Sequence, residues 1–466
     1  MNGGLLIRNA EVEGRAGLDV RLAGGRVVEI AAGLRGPGPD LDAQGGALLP
    51  GLIDHHIHLF GLAAAAASVH LADAAGPLAI GRALSRAGGR LPPGAWLRGV
   101  GYHEAGEDLL DRWALDRMVA DRPVRVQHRT GGLWVLNSAG LERLDLSADT
   151  PDCVERDGQG APTGRIRRGD DWLRARLAKA PPSLAAVSAD LARRGVTGVT
   201  DASVTNDEAQ AGVFVGEIDR GALRQRLVLM SGGALAWPEG DAFQVGAVKV
   251  ILDDHDLPDL EATVGTVVRA HASGRTVAVH CVAAGELAFA LAVFEQAGSR
   301  PGDRIEHGGV VHPAAMAQIA ALGLTVVTQP AFVFERGDRY LAEVDPRDLD
   351  ALYPCASLMR AGIKVGGGSD APYADADPWA AMSAAVSRTT RSGRPLGERE
   401  RITPRAALNL FLGPFEDPGG APRRLEVGAP ADLCLLHAPL ETVLARPDAS
   451  HVAATLVGGE FIHGGL

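Results

Sequence analysis

Short, nearly continuous apolar runs recur along the chain, at 52–58, 198–202, 225–229, 247–252, 276–281, 304–307, 325–329 and 364–368. From the second run onward most are separated by longer helix-like segments, clearest at 261–272, 284–297, 313–322 and 348–361. Strands that are apolar on both faces and alternate with helices predict a parallel sheet covered by helices. Eight such repeats predict an α/β fold of the (β/α)8 TIM-barrel type. An open doubly wound sheet is the competing arrangement, but no GxGxxG follows an early strand.

The two ends carry a different texture. Short strands at 5–7, 19–22 and 26–30 are divided by Gly-rich turns, and similar ones return at 432–436 and 453–457 before Gly458-Gly459. Strands with open edges need partners and chain ends often lie close together, so residues 1–50 plus 421–466 are expected to form one small β-sandwich rather than two caps. The barrel then occupies 51–420. About 140 residues separate its first strand from its second, far too many for one crossover. An insertion at about 65–185 is therefore predicted, with a helix at 109–119 and a strand at Val124–His128. Loops that follow barrel strands sit at the C-terminal face, so this insertion is expected to overhang the active site and shape the substrate pocket.

Composition narrows the function class. With 466 residues, 46% of them hydrophobic, and a net charge of −11, the chain lacks the basic stripe of a nucleic-acid binder. No apolar stretch approaches a membrane span, and the N-terminus lacks the basic and apolar segments of a signal peptide. The four cysteines (Cys153, Cys281, Cys355, Cys434) form no CxxC pair and read as reduced thiols. A cytoplasmic protein with a small-molecule ligand is the expectation.

The chemistry gathers at the strand ends. His56 and His58 lie one residue apart, so both point to one face of the first strand. A His-x-His pair there can hold a metal from two adjacent inward positions. Lys249 lies in the fourth strand, His280 ends the fifth, His307 ends the sixth and Asp370 follows the eighth. All six converge at the top of a barrel. Each alone has an ordinary structural reading; together they do not. The histidines at 70, 103, 255, 271, 312, 437, 451 and 463 fall in predicted helices, loops or the terminal β unit and receive no role. In the sixth strand, alternation sends His307 inward and Arg304 and Glu306 outward, as a salt bridge beneath the helices.

The order His-x-His, Lys, His, His, Asp resembles the amidohydrolase superfamily of metal-dependent hydrolases. PGLIDHHIHL, VKVILDD, RIEHGG, GGGSDAPY, ITPRAALNL and LEVGAPADLCLL are similar to the amidohydrolase-3 branch, the group of N-substituted formamide deformylase and YtcJ-like proteins. The resemblance implies that His56, His58 and Asp370 bind the more buried metal, and His280 and His307 the second. It implies further that Lys249 is carbamylated by CO2 to bridge two ions. A lysine in a water-poor barrel near cations has a depressed pKa, and its neutral amine adds CO2. The ions, Zn2+ by donor type with Mn2+ or Fe2+ as alternatives, would activate a water and polarise a carbonyl. Asp370 would carry the proton to the leaving nitrogen.

The implied activity is hydrolysis of a non-peptide C–N bond in an amide, an N-substituted formamide or a cyclic amide. Ring deamination is the alternative within the scaffold, and a catalytically inactive ligand-binding barrel the alternative outside it. Gln329, Phe332, Phe334, Tyr373 and Trp379 after the last strands, and Trp134 in the insertion, are candidates to line the substrate pocket. The chain departs from the branch where Thr130-Gly131-Gly132 replaces Ser-Gly-His, and where Asp253-Asp254 replaces Asp-Gly. A homodimer is compatible with the barrel's apolar content.

Overall fold

All six residues of Leu52–Ile57 are buried, three of them polar. That is the signature of a strand with protein on both sides. The computed structural model of the chain describes all residues but 1–3, 37, 75, 104–108, 145, 147–149, 178–181, 238–241 and 466, and of 171 and 174 the backbone alone. It divides into two units, residues 1–59 with 184–466, and residues 60–183.

The first unit contains eight parallel strands in sequential order: β1 (Leu52–Ile57), β2 (Val196–Asp201), β3 (Arg226–Ser231), β4 (Gln244–Val250), β5 (Val277–Cys281), β6 (Arg304–His307), β7 (Thr325–Thr328) and β8 (Val365–Gly367). The predicted barrel is therefore present. β4 begins at Gln244 rather than at 247, because Gln244 and Val245 pair with Val228 and Leu229 while remaining exposed. Exposure removed the apolar signal there, and pairing did not need it.

The seam between β8 and β1 closes at its two ends by different means. Near the C-terminal ends, the Asp370 N–H donates to the His56 carbonyl over 2.7 Å and the His58 N–H to the Ala371 carbonyl over 2.9 Å. Lower down, the backbone at 410–411 fills the gap, accepting from Gly367 N–H at 2.8 Å and Ile53 N–H at 2.9 Å. The close approach needs a glycine, since a Cβ on Gly368 would lie 2.6 Å from the His56 Cβ.

Both chain ends build one eight-stranded sheet, in which Ala47–Pro50 pairs with Leu433–Leu436 and with Leu6–Val12. Ile7, Val20, Val27, Leu433 and Leu456, from distant strands of this sheet, share a single apolar core. The sheet curls over that core, with the Val27 N–H reaching the Ala429 carbonyl at 2.9 Å. It is fixed to the barrel by Gly51 N–H to Asp432 O at 2.8 Å and by the Thr455 hydroxyl to Ala192 O at 2.7 Å.

The second unit has a six-stranded sheet of its own, among the described residues, with Leu97–Tyr102, Val124–His128 and Leu133–Leu136 adjacent at its centre. Leu84, Leu97, Leu115, Val124 and Val135 form one core and Trp134, Leu136 and Ile166 another. The insertion thus carries enough apolar surface to bury for itself.

Candidate active site

The strand ends bring the histidines and Asp370 together. His56 Nε2 lies 3.4 Å and His58 Nε2 3.2 Å from Asp370 Oδ1, and ligand atoms of these three residues all fall within 4.8 Å of one another. His307 approaches from β6, its Nδ1 3.9 Å from Asp370 Oδ2 and its ring 4.8 Å from that of His56. His280, on β5, pairs with it, Nδ1 to His307 Nε2 at 2.9 Å. Lys249 is buried in β4, and its Nζ has no hydrogen-bond partner. His307 and Asp370 both occupy the left-handed backbone region, at φ 69° and 55°. Such conformations in non-glycine residues cost energy and persist where the surroundings impose them, often at functional sites.

Three of the four clustered rings bond a non-histidine side chain through Nδ1. His56 Nδ1 bonds the Glu306 carboxylate, His58 Nδ1 the Ser203 hydroxyl at 3.0 Å, and His307 Nδ1 the Gln329 side-chain oxygen at 2.8 Å. At His56 the carboxylate makes Nδ1 the donor and leaves the Nε2 lone pair to face Asp370, the usual outer support of a metal-ligating histidine, whereas His307 Nε2 is taken up by His280 Nδ1. Ser203 is held by Asp201, which accepts its N–H at 3.0 Å and that of Leu59 at 2.8 Å. Asp54 accepts from Ser369 N–H at 2.9 Å and His56 N–H at 3.1 Å, and burial raises its carboxyl to about 6.

Glu306 overturns one expectation. The ion pair with Arg304 exists, but it lies inside the barrel, with Glu306 fully buried against His56 and Arg304 donating to the His55 carbonyl at 3.2 Å. The left-handed turn at His307 breaks strict alternation at the end of a four-residue strand. Parity counted back from His307 therefore gives the wrong face.

Charges in the cluster are mutually dependent. Burial lowers the Lys249 ammonium, against the pull of Glu306 and Asp370. Burial, followed by Lys249, brings His280 down to about 4. Burial alone would raise the Glu306 and Asp370 carboxyls. Instead Arg304, His56 and Lys249 hold the first well below its usual range, and His56, His58 and His307 the second. Both carboxylates are thus held as anions, while, against burial, the flanking Glu306 and Asp370 raise His56.

The residues fit a divalent metal. Lys249 Nζ is buried with no hydrogen-bond partner, an arrangement costing about 1–3 kcal/mol unless something else satisfies it, and the buried His56 Nε2 makes no hydrogen bond beyond its 3.4 Å approach to Asp370 Oδ1. The donor set is nitrogen and carboxylate oxygen, suited to zinc and to manganese or iron.

The predicted pocket residues diverge. Gln329 is buried, with its side-chain oxygen on His307 Nδ1 and its side-chain nitrogen making no hydrogen bond. Phe332 is buried under the Arg336 guanidinium, 4.0 Å from the ring centroid, with its edge toward Tyr353. Trp379 is buried with its N–H on Arg194 O, while Phe334 is 42% exposed. Tyr373 is 49% exposed, its ring T-shaped against that of His58 at 5.9 Å. Trp134 is buried in the core of its own unit, its N–H on Asp170 and its ring flanked by Arg98 and Arg125 at 5.2 and 5.4 Å. Sequence reasoning missed Glu306 as a partner of His56, and it missed Ser203 and Asp54 altogether. A carboxylate beside a strand-end histidine, in RIEH, was the available signal for the first.

Comparison with known proteins bears on the family and the fold. The family model described as "Amidohydrolase family" matches residues 41–463. N-substituted formamide deformylase of Arthrobacter pascens is 25% identical, over 97% of this chain and 96% of its own. The YtcJ protein of Bacillus subtilis (strain 168) is also 25% identical, over 80% of each. Among solved structures, an uncharacterised metal-dependent hydrolase of Pyrococcus horikoshii superposes with a TM-score of 0.76 at 21% identity, covering 98% of this chain and all of that one.

Proposed function

The chain belongs to the amidohydrolase family, and from that premise we propose that its barrel mouth hydrolyses a C–N bond in a small N-substituted amide, formamide or cyclic amide with the help of bound divalent metal. As a family member it is a hydrolase acting on C–N bonds other than peptide bonds. The observation that carries the finer reading is the cluster of His56, His58 and Asp370, in which the buried His56 Nε2 faces the Asp370 carboxylate and makes no hydrogen bond. These three would hold one ion. His280 and His307 would hold a second, with Lys249 between the two as a carbamate. The neutral Lys249 amine adds to CO2, forming an N–C bond and releasing a proton, and the product is an anionic oxygen donor where an unpaired amine stood. Zinc is the proposed metal.

Bound there, the ions supply Lewis acidity, which acidifies water and polarises a carbonyl. The chain's own contribution is proton traffic and orientation. Asp370 is kept ionised by the three histidines facing it. Its carboxylate accepts the proton of the attacking water and returns it to the departing nitrogen, which must leave as a neutral amine. Glu306, Ser203 and Gln329 keep the rings from turning.

Metal analysis of the purified chain beside Lys249→Ala tests this, together with a panel of N-acyl amines, formamides and cyclic amides. About two ions per chain, falling in the variant, with turnover of an amide, is the expected result. About one ion, unaffected by the substitution, with turnover of an amino-substituted ring instead, would identify a deaminase. No uptake with added zinc would leave a binding protein.

A further inference from the structure

The three Nδ1 supports differ in kind: a carboxylate for His56, a hydroxyl for His58, a neutral amide for His307. The carboxylate is the only one backed by an ion pair, since Glu306 bonds His56 with one oxygen and Arg304 with the other. Arg304 also reaches the β1 backbone, donating to His55 O at 3.2 Å. Glu306 has no exposed surface and Arg304 is 5% exposed. An ion pair sealed into a barrel is expensive to desolvate and is no argument for stability. Its geometry does something more specific: it spans from β6 to β1 and ends on the ring whose other nitrogen faces the Asp370 carboxylate.

We propose that Glu306 is a positioning residue of the metal centre, fixing His56 as the Nδ1–H tautomer and raising the donor strength of its Nε2, with Arg304 holding the carboxylate in place. The proposal rests on the reading of the barrel mouth as a metal site and adds a residue outside the six ligands. A carboxylate takes up part of the imidazole proton's charge, so the ring binds a cation as a stronger base. Ser203 and Gln329, neutral partners, fix orientation without that electronic push.

The test is metal affinity, measured by competition against a chelator for wild type, Glu306→Gln, Glu306→Asp and Ser203→Ala. Melting of the metal-free forms and the visible absorption of the Co2+ forms are recorded alongside. Glu306→Gln is expected to weaken binding roughly 10–100-fold and to change the Co2+ spectrum, with metal-free melting preserved. Glu306→Asp should recover part of the affinity, and Ser203→Ala should lose less than Glu306→Gln. Equal affinity and an equal spectrum in Glu306→Gln would overturn the proposal. If that variant does not fold because Arg304 is stranded, the double variant Arg304→Met/Glu306→Gln, which removes both charges, is judged by the same two outcomes. Nitrogen NMR of histidine-labelled, Zn2+-loaded wild type needs no variant. A protonated Nδ1 and metallated Nε2 at His56 is expected, and metal on Nδ1 would overturn the proposal. Wild type that binds no metal would sink the reading of the site itself, whereas wild type that binds beside an unaffected Glu306→Gln sinks only this inference.

Discussion

The Asp370 N–H donates to the carbonyl oxygen of His56 over 2.7 Å. The same two residues face each other through their side chains, His56 Nε2 standing 3.4 Å from Asp370 Oδ1. Closing the barrel and assembling the candidate metal site are therefore one event. Anything that pries β8 from β1 separates two candidate ligands, and anything that draws them together tightens the seam.

Gly368→Ala probes that coupling. The added Cβ would lie 2.8 Å from the His56 backbone nitrogen, which cannot move without disturbing the seam. A loss of about 1–3 kcal/mol in urea unfolding is expected, accompanied by lower metal content. Wild-type stability with normal metal content would show that the seam is softer than its hydrogen bonds indicate.

Removal of metal should lower the melting temperature reversibly. An ion at a hundredfold excess over its dissociation constant stabilises the folded chain by about 2.7 kcal/mol. Calorimetry after chelation and after re-addition of Zn2+ measures this. Identical melting in both states would argue that the cluster holds no ion.

Lys249→Met separates the cost of the lysine from its use. The buried Nζ has no partner, so the metal-free variant should be more stable than metal-free wild type by roughly 1–3 kcal/mol. Its metal uptake should fall and its amide hydrolysis should be lost. Denaturation of both apo-proteins decides the first point, and a destabilised variant would mean that the amine is satisfied in the apo-protein.

The thiols offer a test of packing. Cys281, Cys355 and Cys434 are buried, and burial pushes the latter two to about 11 and about 12, whereas Cys153 is half-buried. A thiolate reagent at neutral pH should modify Cys153 first in the native chain and all four only in denaturant, as read by peptide mass spectrometry.

Acid should loosen one surface turn before the site. Hydroxyl bonds from Ser392 and Thr390 lower the Asp338 carboxyl to about 2, from an ordinary 3.8. A depressed acid stabilises the fold above its unfolded pKa and loses that contribution as pH falls through the folded one. Pepsin cleavage near 388–397 should accelerate between about pH 4 and pH 2. In Asp338→Ala it should be fast across that range.

Much of this was legible in the sequence. The barrel strands betray themselves because each is apolar on both faces, and the six candidate ligands because each sits at the same end of its strand. The supports behind the ligands were harder to see. Glu306 was assigned to the wrong face because the His307 backbone turns left-handed, an event that periodicity cannot register. Gln329 and Phe332 follow β7 and are buried, the one against His307 and the other under Arg336. Trp134 has the composition of a pocket residue, yet its bond to Asp170 uses its one polar atom inside its own unit. Side-chain direction after a strand ends depends on tertiary packing, and no local pattern encodes it.

The terminal sheet has a consequence in time. Ala47–Pro50 leaves the ribosome well ahead of its partner Leu433–Leu436. At 5–20 residues per second the wait is about 20–80 s. Throughout it the N-terminal strands present an open edge, the template on which chains mispair. A nascent chain of this protein therefore needs either slow encounter with its neighbours or a chaperone on that edge until its final strands arrive.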